Sequence, residues 1–142
     1  MISSDFVNQL KSFVEFIPVC PEFEIGLGIP RDPIRIISYN GALKLFQPST
    51  EKDITSNMTE FSNSFLENLS EVEGFILKSK SPSCGIKDVK IYTVKGQQPT
   101  ESKGSGFFGK AVLKKYPNLV IEDEYRLTNS RIKQHFLKKY TH

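Results

Sequence analysis

Apolar positions along the chain change their spacing segment by segment, and each spacing predicts an element. Phe6, Val7, Leu10, Phe13 and Val14 fall on one side of a helix over Ser3 to Phe16, with Ser3 or Ser4 available as its N-cap. "FIPVC" then reads as a short buried strand. "PEFEIGLGIPRDP" packs three prolines and two glycines into thirteen residues, which predicts an irregular loop. "IRIISY" is β-branched enough for a second strand, and Asn40-Gly41 predicts a hairpin turn into "ALKLF". From Asp53 to Leu69 the apolar residues Ile54, Met58, Phe61, Phe65, Leu66 and Leu69 recur at the helical period. "GFILK" and "VKIYTV" read as further strands, "KGQQPTESKGSG" as a polar mobile connection, and "GFFGKAVLKKY" as a helix stopped before Pro117. "NLVIEDE" predicts another strand. Thr128 or Asn129 then caps a last helix carrying Ile132, Phe136 and Tyr140 on one side.

Strands alternating with helices predict an α/β fold: three layers, a largely parallel Rossmann-like sheet with helices on both faces, joined by right-handed crossovers. In such sheets ligands gather outside the carboxyl ends of the strands. The chain has no internal repeat, and 142 residues fit one domain spanning 1–142 with a core that needs no staples.

Composition changes this picture little: 38% hydrophobic and 25% charged residues are ordinary globular usage. No apolar stretch approaches the roughly 20 residues that cross a bilayer. The N-terminus lacks a secretory pattern, and two cysteines 64 positions apart are not a disulfide framework, so a reducing, cytoplasmic setting is expected. The net charge of +3 is unevenly placed, since Arg126 to His142 holds two Arg and three Lys with no acid. Such a run is either a solvated helix face or a grip on nucleic acid.

The candidate chemistry sits at the cysteines. Cys20 follows "IPV" and Cys84 lies in "SKSPSCG", so both fall in loops at the expected ligand edge of the sheet, with Lys78, Lys80 and Lys87 near Cys84 in sequence. Cationic neighbours favour a thiolate. One reading is two buried structural cysteines packing as small hydrophobes. Zinc would want four ligands, whereas His135 and His142 lie on the last helix. A redox pair lacks C-x-x-C spacing, and a nucleophilic cysteine lacks a histidine in the loops. Proline and glycine beside each thiol, in "CPE" and "PSCG", suit loops that wrap an inorganic centre.

"PVCPEFEIGLGIPRDPIRI", "GFILKSKSPSCG", "GSGFFGKAV" and "VIEDEYRL" together resemble the thiouracil desulfidase family. The resemblance covers nearly the whole chain, and "VCPE" paired with "KSPSCG" is its specific part. It implies a 4Fe-4S cluster held by three cysteines, with an open iron that takes the sulfur of a thiocarbonyl while water replaces it, turning 2-thiouracil into uracil. The implied partner is a thiolated pyrimidine, free or within tRNA. By the same resemblance Cys20 and Cys84 are the second and third cluster ligands, Glu22 the acid or base, Ser81 and Ser83 hydrogen-bond donors to substrate or cluster, and Lys78 a counter-charge. As local residues alone, Glu22 could equally cap a turn or pair with Arg31, and the serines could simply shape a turn.

Family members open with a strand and an S-x-C-L-x-G motif that bring the first cysteine, and that motif is absent here. The first of the three ligands is therefore absent from this chain, which supplies only two. An upstream start codon, a shortened chain or a degenerate paralogue unable to hold a cluster would each account for it; the first is the expectation adopted. The competing function is a non-catalytic module that holds a nucleotide or anion at the same sheet edge, with the Gly104 to Gly106 turn before a helix as a further candidate contact.

Overall fold

Asn40 and Gly41 both take positive φ, 49° and 79°, the geometry of a two-residue turn that matches strand twist. The turn joins β1 (Arg35–Tyr39) to β2 (Ala42–Gln47) as an antiparallel hairpin. The computed structural model describes residues 5–28, 32–93 and 98–141. After the hairpin come β3 (Lys52–Asp53), α3 (Thr55–Asn68), β4 (Gly74–Leu77), β5 (Val89–Tyr92), β6 (Pro99–Gly104), α4 (Phe107–Lys115), β7 (Val120–Asp123) and α5 (Ser130–Tyr140). Two short helices, α1 (Asp5–Leu10) and α2 (Pro21–Glu24), precede them.

The protein is mixed α/β, but its main sheet is not the largely parallel one expected. Five strands run in the order β3-β2-β1-β5-β6, and only the β1–β5 pairing among them is parallel. A second sheet holds β4 and β7, which are parallel. The cause is that β2 and β6 each return directly beside the preceding strand, which forces antiparallel pairs. The β4–β7 pair does have helices on both faces: Ile76 and Val120 pack with Phe6, Leu10 and Phe136 of α1 and α5, whereas Phe75, Leu77 and Ile121 pack with Met58, Leu66, Phe108 and Val112 of α3 and α4. The second of these clusters also takes Ile36 and Leu45 from the main sheet.

Three local expectations change. "FIPVC" joins no ladder among the described residues; Pro18 has no N–H to give, and the segment leads into α2 instead. The polar connection contains β6, whose residues are nearly all exposed because it is an edge strand held through β5. The first helix ends at Leu10, where the Phe13 and Val14 N–H groups both turn back to the Leu10 carbonyl. Its proposed caps Ser3 and Ser4 lie outside the described residues, as does Arg31. The remaining helices end as their sequences predict, with Asn129 accepting from the Arg131 and Ile132 N–H groups at 3.0 and 3.2 Å. No helix among the described residues is long and apolar enough to cross a membrane.

Candidate functional site

Two loops meet beside the start of α4. The first is α2, where Cys20 occupies the N-cap position and Pro21 the first helical position, where proline's fixed φ suits a helix start and its missing N–H costs nothing. One residue on, Glu22 points to the second loop, the segment following β4. Its Oε2 accepts a hydrogen bond from the Ser83 hydroxyl at 3.1 Å, bridging 61 positions of sequence. Ser83 is fully buried.

The second loop is held by its own backbone. Ser81 Oγ accepts the N–H groups of Ser83 and Cys84, both at 3.1 Å, and the Ser81 carbonyl accepts the Gly85 N–H at 2.8 Å. The start of α4 closes over it: Gly106, Phe107 and Gly109 donate their N–H groups to the carbonyls of Gly85, Pro82 and Ser83 at 2.8, 3.1 and 2.9 Å. A helix start that spends its donors on a protein loop keeps few for an external anion. The Gly104 to Gly106 turn is thus a close approach of two backbones, and an anion held there would find few free donors.

Cys84 is half-buried and packs on the larger apolar cluster. Burial pushes its thiol up to about 12, the Glu22 carboxylate adds to this, and the nearby Cys20 adds a little more, against the Ser81 hydroxyl and a Lys78 backbone hydrogen bond that favour the thiolate. Cys20 and Cys84 share no disulfide. Lys78 aims elsewhere: its ammonium lies 3.3 Å from Glu124 Oε2 and its side chain is more than half exposed. Sequence reasoning left Glu124 inside a strand, yet it accepts from the Ser79 N–H at 2.6 Å and the Ser79 hydroxyl at 2.9 Å, fixing the base of the loop. Burial raises the Glu124 carboxyl, but the two Ser79 bonds and Lys78 outweigh it and hold it below its usual range. An acid just past the end of β7, beside the β4 strand that feeds the loop, was the available signal.

A thiol raised in the fold links stability to alkaline pH. Below the ordinary value of 9.0 both states keep the proton and Cys84 is neutral to stability; above it the unfolded chain loses the proton first. Stability should therefore fall by about 1.4 kcal/mol per pH unit between pH 9 and pH 12 on account of this group alone. Denaturant unfolding of wild type and Cys84→Ser across that window checks it: the difference between the two should carry that slope, and parallel curves would refute it.

A family model of 2-thiouracil desulfurase matches residues 1–124. The chain belongs to the 2-thiouracil desulfurase family. Among curated relatives, the uncharacterized protein YbbK of Bacillus subtilis (strain 168) is 31% identical over 108 residues, which is 70% of this chain and 71% of YbbK. Among solved structures, the [4Fe-4S]-dependent thiouracil desulfidase TudS superposes with a TM-score of 0.61 at 22% identity, covering 95% of this chain and 84% of that one, a likeness of fold.

A cluster of the kind named for TudS needs several soft thiolates. Membership in the family is accompanied here by only two cysteines, and among the described residues no three His, Cys, Asp or Glu side chains gather to hold a metal. Cys20 and Cys84, with Glu22 of α2 beside them, form an incomplete donor set on their own.

Proposed function

We propose that the protein is a desulfidase that replaces the thiocarbonyl sulfur of a 2-thiouracil base with oxygen. The observation that carries this reading is the meeting of Glu22, Ser83 and Cys84 at one place from loops 61 positions apart. The reaction is a hydrolysis: water adds at the ring carbon, the C–S bond breaks, and uracil and hydrogen sulfide leave with no net redox change. Glu22 is suited to take the proton of the attacking water, since its carboxylate is already oriented by the Ser83 hydroxyl. Ser81 fixes the loop backbone, and the buried Ser83 hydroxyl holds the Glu22 carboxylate in its orientation. Lys78 holds the loop through Glu124. The cofactor belonging to this reading is a 4Fe-4S cluster with Cys20 and Cys84 as two ligands and a third thiolate from outside these 142 residues; it supplies a soft Lewis acid for sulfur.

Anaerobic incubation with iron, sulfide and a small thiol that supplies the missing ligand, followed by assay of 2-thiouracil, tests the proposal. The expected result is a brown protein that releases sulfide and uracil in equal amounts. Failure to consume thiouracil once a complete cluster is bound would overturn it. Measuring 2-thiouridine lost from bulk tRNA beside loss of the free base assigns the natural form of the substrate.

A further inference from the structure

The basic run from Arg126 onward passes through a short 3-10 turn, Arg126–Thr128, into α5 and lines a groove that the thiol site does not use. The groove, about 290 Å³, lies between α5 and one face of β7, with Val120 and Ile132 in its lining and Arg131, His135 and Lys139 along it. These last three recur every fourth residue, so they share one face of the helix, and all three are exposed. Among the described residues none of them has an ion-pair partner. The acid in the groove, Glu122, is engaged by Arg126 at 2.6 Å.

Helix electrostatics explain only part of this. Cations in the last turn complement the negative end of the helix, which accounts for Lys138 and Lys139. Arg131 stands in the first turn, at the positive end, where no acid accompanies it. A row kept in this state calls for negative charge from outside the chain.

We propose that this groove binds the phosphodiester backbone of a nucleic-acid strand. Arg131 to Lys139 spans about 12 Å of helix, and a strand carries a charge about every 3.4 Å of duplex axis; the row thus faces several phosphates, where a lone phosphate group would engage one end. Lys138, next to Lys139 in the last turn, extends the positive field at one side of the row. Alternation along β7 sets this surface apart from the thiols: Val120 and Glu122 face the groove, whereas Ile121 packs in the cluster that holds Cys84. The proposal therefore stands independently of the desulfidase reading.

Fluorescence anisotropy of an end-labelled, unmodified oligoribonucleotide titrated with the full chain tests it. Binding should weaken with salt, and the double variant Arg131→Ala/Lys139→Ala should lower the slope of log affinity against log salt by about 1.4, at about 0.7 per cation, or about 25-fold in Kd at 0.1 M. Lys114→Ala, in the last turn of α4, should bind as wild type. No binding of the oligonucleotide, or a double variant indistinguishable from wild type, overturns the proposal. Displacement of the oligonucleotide by uridine monophosphate at equal phosphate concentration overturns the strand assignment.

Discussion

Replacing Glu22 with Gln is expected to slow desulfuration of 2-thiouracil by about 10²–10⁴-fold, the usual contribution of a positioned acid or base. Glutamine keeps the shape of the side chain, and its amide oxygen can still accept the Ser83 hydroxyl that Glu22 now accepts at 3.1 Å. The loop should stay in place and the thermal midpoint should hardly move. What is lost is the charge and the capacity to take a proton. A second readout separates this from a structural effect: the Glu22 carboxylate is, after burial, the main cause of the raised Cys84 thiol. Without that charge the thiolate becomes easier to form, so alkylation of Cys84 at a fixed mildly alkaline pH should be faster in Glu22→Gln than in wild type. Unchanged turnover together with unchanged alkylation would remove Glu22 from the site altogether.

Elements whose signals are local were legible in the sequence. The helical stripe over 54–69, the Asn40-Gly41 turn, the Asn129 cap and the Pro117 stop each depend on residues within a few positions of one another, and each is where the pattern puts it. Strand partnership was not legible, because pairing is a long-range property. "FIPVC" has strand composition without a ladder among the described residues, and β6 has a ladder without strand composition: its place is set by the register Val89 to Gly104 and by Thr100 Oγ1 donating to the Ile91 carbonyl at 2.7 Å. The expectation of a largely parallel sheet failed for the same reason, since alternating elements do not say where a returning strand will lie. At the site, proline and glycine beside the thiols marked the two loops and the sheet-edge argument put both at one edge, while the 61-position bond between Ser83 and Glu22 had no local signal; the family resemblance joined "CPE" to "SPSCG" specifically. Glu124 was overlooked because its role appears only once β4 and β7 are side by side.

Gly106→Ala and Gly109→Ala should each destabilise the protein by about 3 kcal/mol, combining overpacking of about 1–3 kcal/mol with weakened loop bonds of about 1 kcal/mol each. Neither glycine is needed for positive φ; both are needed for room. A Cβ on Gly106 would come within 2.6 Å of the Ser83 carbonyl oxygen and 2.7 Å of the Cys84 nitrogen, and one on Gly109 within 2.6 Å of the Gly85 oxygen and 2.8 Å of the Cys84 oxygen. These obstacles are backbone, so no side chain can swing aside to relieve them. Either α4 must lift or the loop must retreat, and both movements stretch the bonds from Gly106, Phe107 and Gly109 to the loop carbonyls. Gly104→Ala is the matched comparison, because there the nearest atom is the Ile91 Cδ1 methyl at 3.3 Å, the end of a side chain that can adjust. For a chain of this size the two severe variants should lower the thermal midpoint by roughly 10 °C, with Gly104→Ala close to wild type. The same retreat would pull Cys84 away from Glu22 and from its buried setting, so its alkylation should quicken in the Gly106 and Gly109 variants and stay slow in Gly104→Ala. Equal midpoints for Gly106→Ala and Gly104→Ala would show that the α4 start does not clamp the cysteine loop.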